Sequence, residues 1–373
     1  MSISRRSLLA AAAAPVLSCR KQRSFSAYAF VANKRGRAVA VVDLGALAVV
    51  KHIPLPAEPS QILTHPSLRS VFTLTPAAGS IHEIDAETLT VRRTVAVHDE
   101  ILAAHLALRP SPGESAIWGL TARNPRLIRV SLNSFRREAE IRLPETPVAF
   151  DVSPWEPVAA VSFGASGRAG IVDLAERKVR SISRIGEEAG RIRFRSDGRH
   201  ILAANPAERR LCILDTKTGQ TITQLLLALR PENFCFSRDG GQLFLTGEGM
   251  DAVVVVYPYR TEVAQTRLAG RAPGAMATSA TPPYLFVANP RSGDVTIIDI
   301  ETQRVVAVTA VGAQPSFIAI TPNSEYALVL NHESGDMAVI RVGAITPNRR
   351  RFAPLLTMIP VGSGPVEAVV RAI

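Results

Sequence analysis

Residues 284–322 read Tyr284-Leu-Phe-Val-Ala-Asn289, Pro290-Arg-Ser-Gly293, Asp294-Val-Thr-Ile-Ile-Asp299, Ile300-Glu-Thr-Gln-Arg304, Val305-Val-Ala-Val-Thr-Ala-Val311, Gly312-Ala-Gln-Pro315 and Ser316-Phe-Ile-Ala-Ile-Thr-Pro322. Four short runs rich in β-branched and aromatic residues alternate with Gly, Pro, Asn and Asp. That is the pattern of one four-stranded antiparallel sheet. The end of the second run supplies a ruler for the whole chain. Asp43, Asp85, Ser131, Asp173, Asp215, Tyr257, Asp299 and Arg341 hold the same place in successive copies, 42 residues apart except for one step of 46. A period of this length with four strands per unit marks the blades of a β-propeller.

The ruler counts eight units, and a seven-bladed ring, the alternative, would leave four good strands without a sheet. The repeat opens on Tyr28-Ala-Phe-Val-Ala-Asn33 and the chain closes on Pro365-Val-Glu-Ala-Val-Val-Arg-Ala-Ile373, which reads as the strand that should precede Tyr28. The expected architecture is therefore all-β: a closed propeller of eight four-stranded antiparallel blades over residues 28–373. Its C-terminal strand completes the first blade and removes the open edges. A monomer is expected.

Tyr28–Asn33 with Val39-Ala-Val-Val-Asp43, Tyr284–Asn289 with Val295–Asp299, and the turns Ser196-Asp-Gly198 and Ser237-Arg-Asp-Gly240 together resemble the YVTN-type β-propeller repeat family, also described as YncE-like. The resemblance covers essentially all of residues 28–373. It implies the fold and leaves the activity open, because that family is grouped by repeat.

The first nineteen residues read differently. Ser4-Arg5-Arg6-Ser7-Leu8-Leu9, an alanine run and Val16-Leu17-Ser18-Cys19 combine a short basic region, an apolar stretch too brief to span a bilayer, and a small residue before Cys. This describes a bacterial export signal. The paired arginines are similar to a twin-arginine signal, with an ordinary Sec signal as the alternative. The last four residues are similar to a lipobox, in which Cys19 is the lipidation site and the anchor to a membrane. Residues 20–27 would be a short linker, and the propeller would lie in the periplasm or on a membrane facing it. Cys212 and Cys235 fall in apolar runs of neighbouring units and read as small buried hydrophobes rather than a disulfide.

The formal net charge is +11, with a sequence pI near 10.3. The basic residues are scattered, acidic residues dilute them, and aromatics make up only 5%. Both a phosphate-tracking groove and a base-stacking platform are thus less favoured, and nucleic acid is the less favoured partner. Asp85-Ala-Glu-Thr88, Asp215-Thr-Lys-Thr-Gly219 and Asp299-Ile-Glu-Thr302 read as hairpin turns in which each Asp accepts hydrogen bonds from turn amides. Gly164-Ala-Ser166-Gly167 reads as another turn and no nucleophile elbow. His98, Asp99, His105, His332 and Glu333 read as solvated loop groups, with no metal-ligand spacing, and no cofactor is expected.

Strand alternation gathers the remaining loops on the face opposite the Asp turns, around the channel mouth. The candidate ligand-binding residues there are Asn33, Arg35, Asn205, Asn289, Arg291, Asn331 and His332. The function expected is an exported, non-catalytic binding propeller that presents this mouth to a protein, a glycan or a small ligand. The rival is a lactonase-like hydrolase or a haem- or metal-carrying propeller enzyme.

Overall fold

The computed structural model describes residues 27–108, 115–345 and 354–372. Arg5, Arg6, Cys19 and Arg349–Arg351 lie outside the described residues. Within them the chain forms thirty-two strands, arranged as eight four-stranded antiparallel sheets, and one 3-10 turn at Val342–Ala344.

The first sheet joins the two ends of the chain. Its strands are β1 (Ala27–Asn33), β2 (Ala38–Asp43), β3 (Ala48–Pro54) and β32 (Pro365–Ala372), in the order β3-β2-β1-β32. Strand β32 pairs with β1 along its full length, from Ala27 opposite Ala372 to Asn33 opposite Pro365. Each of the other seven sheets is made of four consecutive strands and begins on the strand nearest the axis. These inner strands are β4 (Gln61–Thr64), β8 (Ile101–Ala107), β12 (Ala149–Val152), β16 (Ile192–Phe194), β20 (Arg230–Phe236), β24 (Met276–Thr278) and β28 (Pro315–Ile320). Ring closure through β32 leaves no open edge at the axis.

Most middle strands are largely apolar because both of their faces are covered, though a few buried polar residues such as His82 and Glu83 interrupt them. In β1, Ala29 and Val31 pack with Leu328, Leu330 and Val339 of the eighth blade. The alternate residues Phe30 and Ala32 pack with Ile62, Val71 and Ile84 of the second. Successive side chains of one strand thus feed two different cores, a consequence of the two-residue strand period. The core of the molecule is a ring of such wedges between neighbouring blades.

All eight ruler residues end the strand that precedes the outermost one, as the period requires. Two residues earlier the pairing with the outermost strand slips by one residue in every blade, for example between Val41 and Val42, Glu83 and Ile84, and Ile297 and Ile298. A bulge repeated at one place strengthens the local twist of each blade. Oδ1 of Asp85 accepts the amides of Glu87 and Thr88, both at 2.9 Å. Asp43, Asp173 and Asp215 do the same in their own turns. Cys212 and Cys235 are unpaired, and burial pushes both thiols up to about 12.

Candidate functional site

Every inner strand starts at the end of the ring where the next strand finishes: Pro315 faces Asn331, Ile101 faces Thr121, and Pro365 faces Asn33. The first residues of the inner strands therefore encircle the channel on the face away from the Asp turns. A cavity of about 770 Å³ opens there, with a wall drawn from all eight blades. This is the face expected from the sequence.

The wall, however, is built from other residues than those expected. Asn33, Asn205, Asn289 and Asn331 are fully buried and their amide nitrogens are engaged locally, while the side-chain oxygens of Asn33, Asn289 and Asn331 find no hydrogen-bond donor among the described residues. Asn33 Nδ2 donates to the Val361 carbonyl at 2.6 Å, Asn289 Nδ2 to Asp294 Oδ1 at 2.7 Å, and Asn331 Nδ2 to Asp336 Oδ1 at 2.6 Å. Asn205 bonds the Ile185 carbonyl and Glu208. A Cβ placed on Gly362, Gly186, Gly270 or Gly312 would collide with the amide of Asn33, Asn205, Asn289 or Asn331 respectively. The repeated Asn and the loop glycine thus form one packing unit: the Asn side chain lies against the backbone of the connection arriving from the preceding blade. Arg35 pairs with Glu333 at 2.7 Å across the junction of the first and eighth blades. His332 lies with Nδ1 3.2 Å from the Pro365 carbonyl, and Arg291 is exposed. None of these seven side chains lines the cavity.

What does line it is a set of ionisable groups on inner strands. Arg191 stands just before β16 and Arg193 within it, two positions apart and so on one side of the strand. Arg193 Nη1 lies 3.2 Å from Oδ1 of Asp151 on β12, and Oδ2 of that carboxylate accepts the Phe194 amide at 2.9 Å. On the other side of Asp151, His105 Nδ1 of β8 is 3.8 Å away, beyond hydrogen bonding, with its ring edge-to-face on Phe150. His105 was expected in a solvated loop. It is instead enclosed in the channel wall, and burial lowers its pKa to about 4, against the opposing pull of Asp151 and with the help of Arg193 and Arg191. The imidazole is neutral at neutral pH.

Glu367 enters the channel from β32. Burial raises its pKa to about 8, although the Ile62 amide and the charges of Arg191 and Arg193 pull the other way. Arg191 Nε donates to the Glu232 carbonyl at 3.0 Å, and burial beside Arg193 lowers its pKa. The rest of the wall mixes apolar side chains, Leu102, Val148, Phe150, Phe234, Met276 and Phe317, with polar ones such as Gln61, Glu188 and Glu232. The period-two pattern Arg191-Ile-Arg-Phe and the single acids in Ala149-Phe-Asp-Val and Pro365-Val-Glu-Ala were the signal for this set: charge on alternate positions of an otherwise apolar first strand. The remaining buried histidines are structural. His82 lies between Thr75 and Thr94, and His65 accepts the amides of Ser67 and Leu68.

No protein-family model and no curated protein matches this sequence. Among solved structures, the chain is similar to three propellers of differing function. Hydrazine synthase of Kuenenia stuttgartiensis is 17% identical with a TM-score of 0.59, over 77% of this chain and 96% of that one. Dihydro-haem d1 dehydrogenase NirN, solved in complex with DHE, is 12% identical with a TM-score of 0.75, over 95% and 77%. Apo AztD from Citrobacter koseri is 13% identical with a TM-score of 0.69, over 93% and 98%. At these identities the likeness shows a common fold.

Proposed function

We propose that the protein is a binding propeller that holds a small ligand in the mouth of its channel. The observation that carries this reading is the cavity itself. Its volume of about 770 Å³ suits a small molecule, and ionisable side chains from four blades converge in it beside apolar ones. Two of those groups, His105 and Glu367, are held neutral at neutral pH by burial. Shifted groups in a cleft mark functional sites more often than chance. A protein or glycan partner would be expected to engage a broad exposed surface, whereas these groups line a channel cavity.

Native mass spectrometry of the protein isolated from its own cells tests the proposal. Wild-type protein should carry a non-covalent small-molecule adduct. Val148→Trp, which adds bulk at a half-exposed channel position, should lose that adduct while keeping its fold. An adduct that persists in the Val148→Trp protein would contradict the proposal.

The rival, a haem-carrying propeller, rests on the neutral His105 imidazole in the channel and on the likeness to NirN, which was solved with DHE. A Soret band in the isolated protein that disappears in His105→Ala would establish that rival instead.

A further inference from the structure

The two channel arginines are not equivalent. Arg193 has a carboxylate partner in Asp151, itself fixed by the amides of Phe194 and Val152. Arg191 is held only through Nε, on the Glu232 carbonyl, and among the described residues no carboxylate oxygen comes within ion-pairing distance of it. Its terminal nitrogens are left open to the cavity. Arg191 is solvent-accessible within the channel, and the planar fork of a guanidinium without a counter-charge matches a carboxylate.

Of the carboxyls that act on the charge of Arg191, Glu367 has the larger effect, ahead of Asp151. It projects from the first blade, opposite the fifth in a ring of eight. The groups around Glu367 are few. Arg191 and Arg193 face it from β16, and β4 offers the Ile62 amide. Strand β28 has no titratable residue, and Tyr28 of β1 pairs with the far end of β32, opposite Arg371. His332, from the strand after β28, reaches only the Pro365 carbonyl.

We propose that the ligand is a monocarboxylic acid with an apolar body, its carboxylate on the free face of Arg191 beside the Glu367 carboxyl and its body against Phe150, Phe234, Met276 and Phe317. This rests on the small-ligand reading and names the ligand class. One open guanidinium accounts for one negative charge. Glu188 and Glu232 line the same cavity and oppose a second, which disfavours polyanions. The aromatic and thioether walls favour an apolar remainder. A neutral ligand would strip water from Arg191 without replacing it.

The arrangement also sets a pH dependence. With Glu367 protonated, its hydroxyl can donate to the bound carboxylate and Arg191 is free to pair with it. Above pH 8 Glu367 ionises, competes through space for the positive charge of Arg191 and repels the ligand.

The test is calorimetric titration with straight-chain and aryl monocarboxylates, against their primary amides. At neutral pH the acids should bind about tenfold or more tightly than the amides, and Arg191→Gln should remove that preference. Wild-type affinity should fall by about tenfold per pH unit above pH 8, the limit for competition by one proton. Glu367→Gln should still bind and should lose that fall. Glu367→Gln also serves as the check if Arg191→Gln fails to fold. Amides binding as tightly as acids, with both blocked by Val148→Trp, would overturn the monocarboxylate assignment and leave the small-ligand reading standing. If none of these compounds binds the wild type, the assignment falls, whatever adduct the isolated protein carries. A pH profile unchanged in Glu367→Gln would remove Glu367 from the site.

Discussion

At the scale of single residues, the repeated Asp and the repeated Asn both serve the scaffold. Asp85 illustrates the first. Its carboxylate accepts two turn amides, and those bonds, the Thr88 amide foremost, hold its pKa below the ordinary carboxylate value. Asp173 and Asp215 are lowered chiefly in the same way, by the amides of Glu176 and Thr218. A folded-state pKa below the unfolded one means stability that is complete above about pH 4 and is lost as the pH falls through the folded value. Asp85→Ala should therefore cost about 1 kcal/mol at neutral pH, and its urea midpoint should drop less steeply on acidification than that of the wild type. Channel binding should be unchanged. An unaltered midpoint at pH 7 would show that the turn does not depend on this side chain.

Asn289 makes the complementary case. Read in the sequence as a ligand-facing loop residue, it is buried against Gly270 and bonded to Asp294 and Thr296. A sequence records that a residue recurs at a loop junction. It does not record whether the amide points out to a partner or back into the chain. His105 was misplaced for a related reason: the inner strand of the third blade starts at Ile101, so the histidine lies on the strand and not in the loop before it.

At the scale of strands, the fold was legible because β-branched runs and turn residues recur at fixed spacing. The ruler fell on the last residue of the same strand in every blade, including Ser131, Tyr257 and Arg341, where the Asp itself is replaced. The inner strands were less legible. Strands β16 and β24 are only three residues long, and their channel-facing positions carry whatever the cavity requires. Periodicity identifies a strand by its buried face and says little of a face turned to an opening. The C-terminal strand was legible through what the first blade lacked. Removing Val366–Ala372 strips β1 of its partner and exposes the apolar side chains of two cores that packed on Ala368, Val366 and Val369. The expected loss is on the order of 5 kcal/mol. Urea unfolding of the truncated chain measures it, and a midpoint equal to that of the full chain would mean that the ring does not depend on this closure.

At the scale of the whole molecule, the wedge cores are distributed evenly around the ring while the channel is not symmetric. His105, Asp151, Arg193 and Arg191 cluster on the third to fifth blades, and Glu367 faces them from the first. Such a division lets the scaffold tolerate chemistry at its axis, because the inner strands contribute less to the wedges than the strands behind them. It also locates any ligand effect. Hydrogen exchange on the protein, with and without the monocarboxylate that binds most tightly in the calorimetric series, is the most direct measurement. Slower exchange is predicted at the starts of β8, β12, β16 and β32, with the hairpins after Asp85, Asp215 and Asp299 unchanged. Protection confined to those hairpins would place the ligand at the opposite end of the ring and contradict the account.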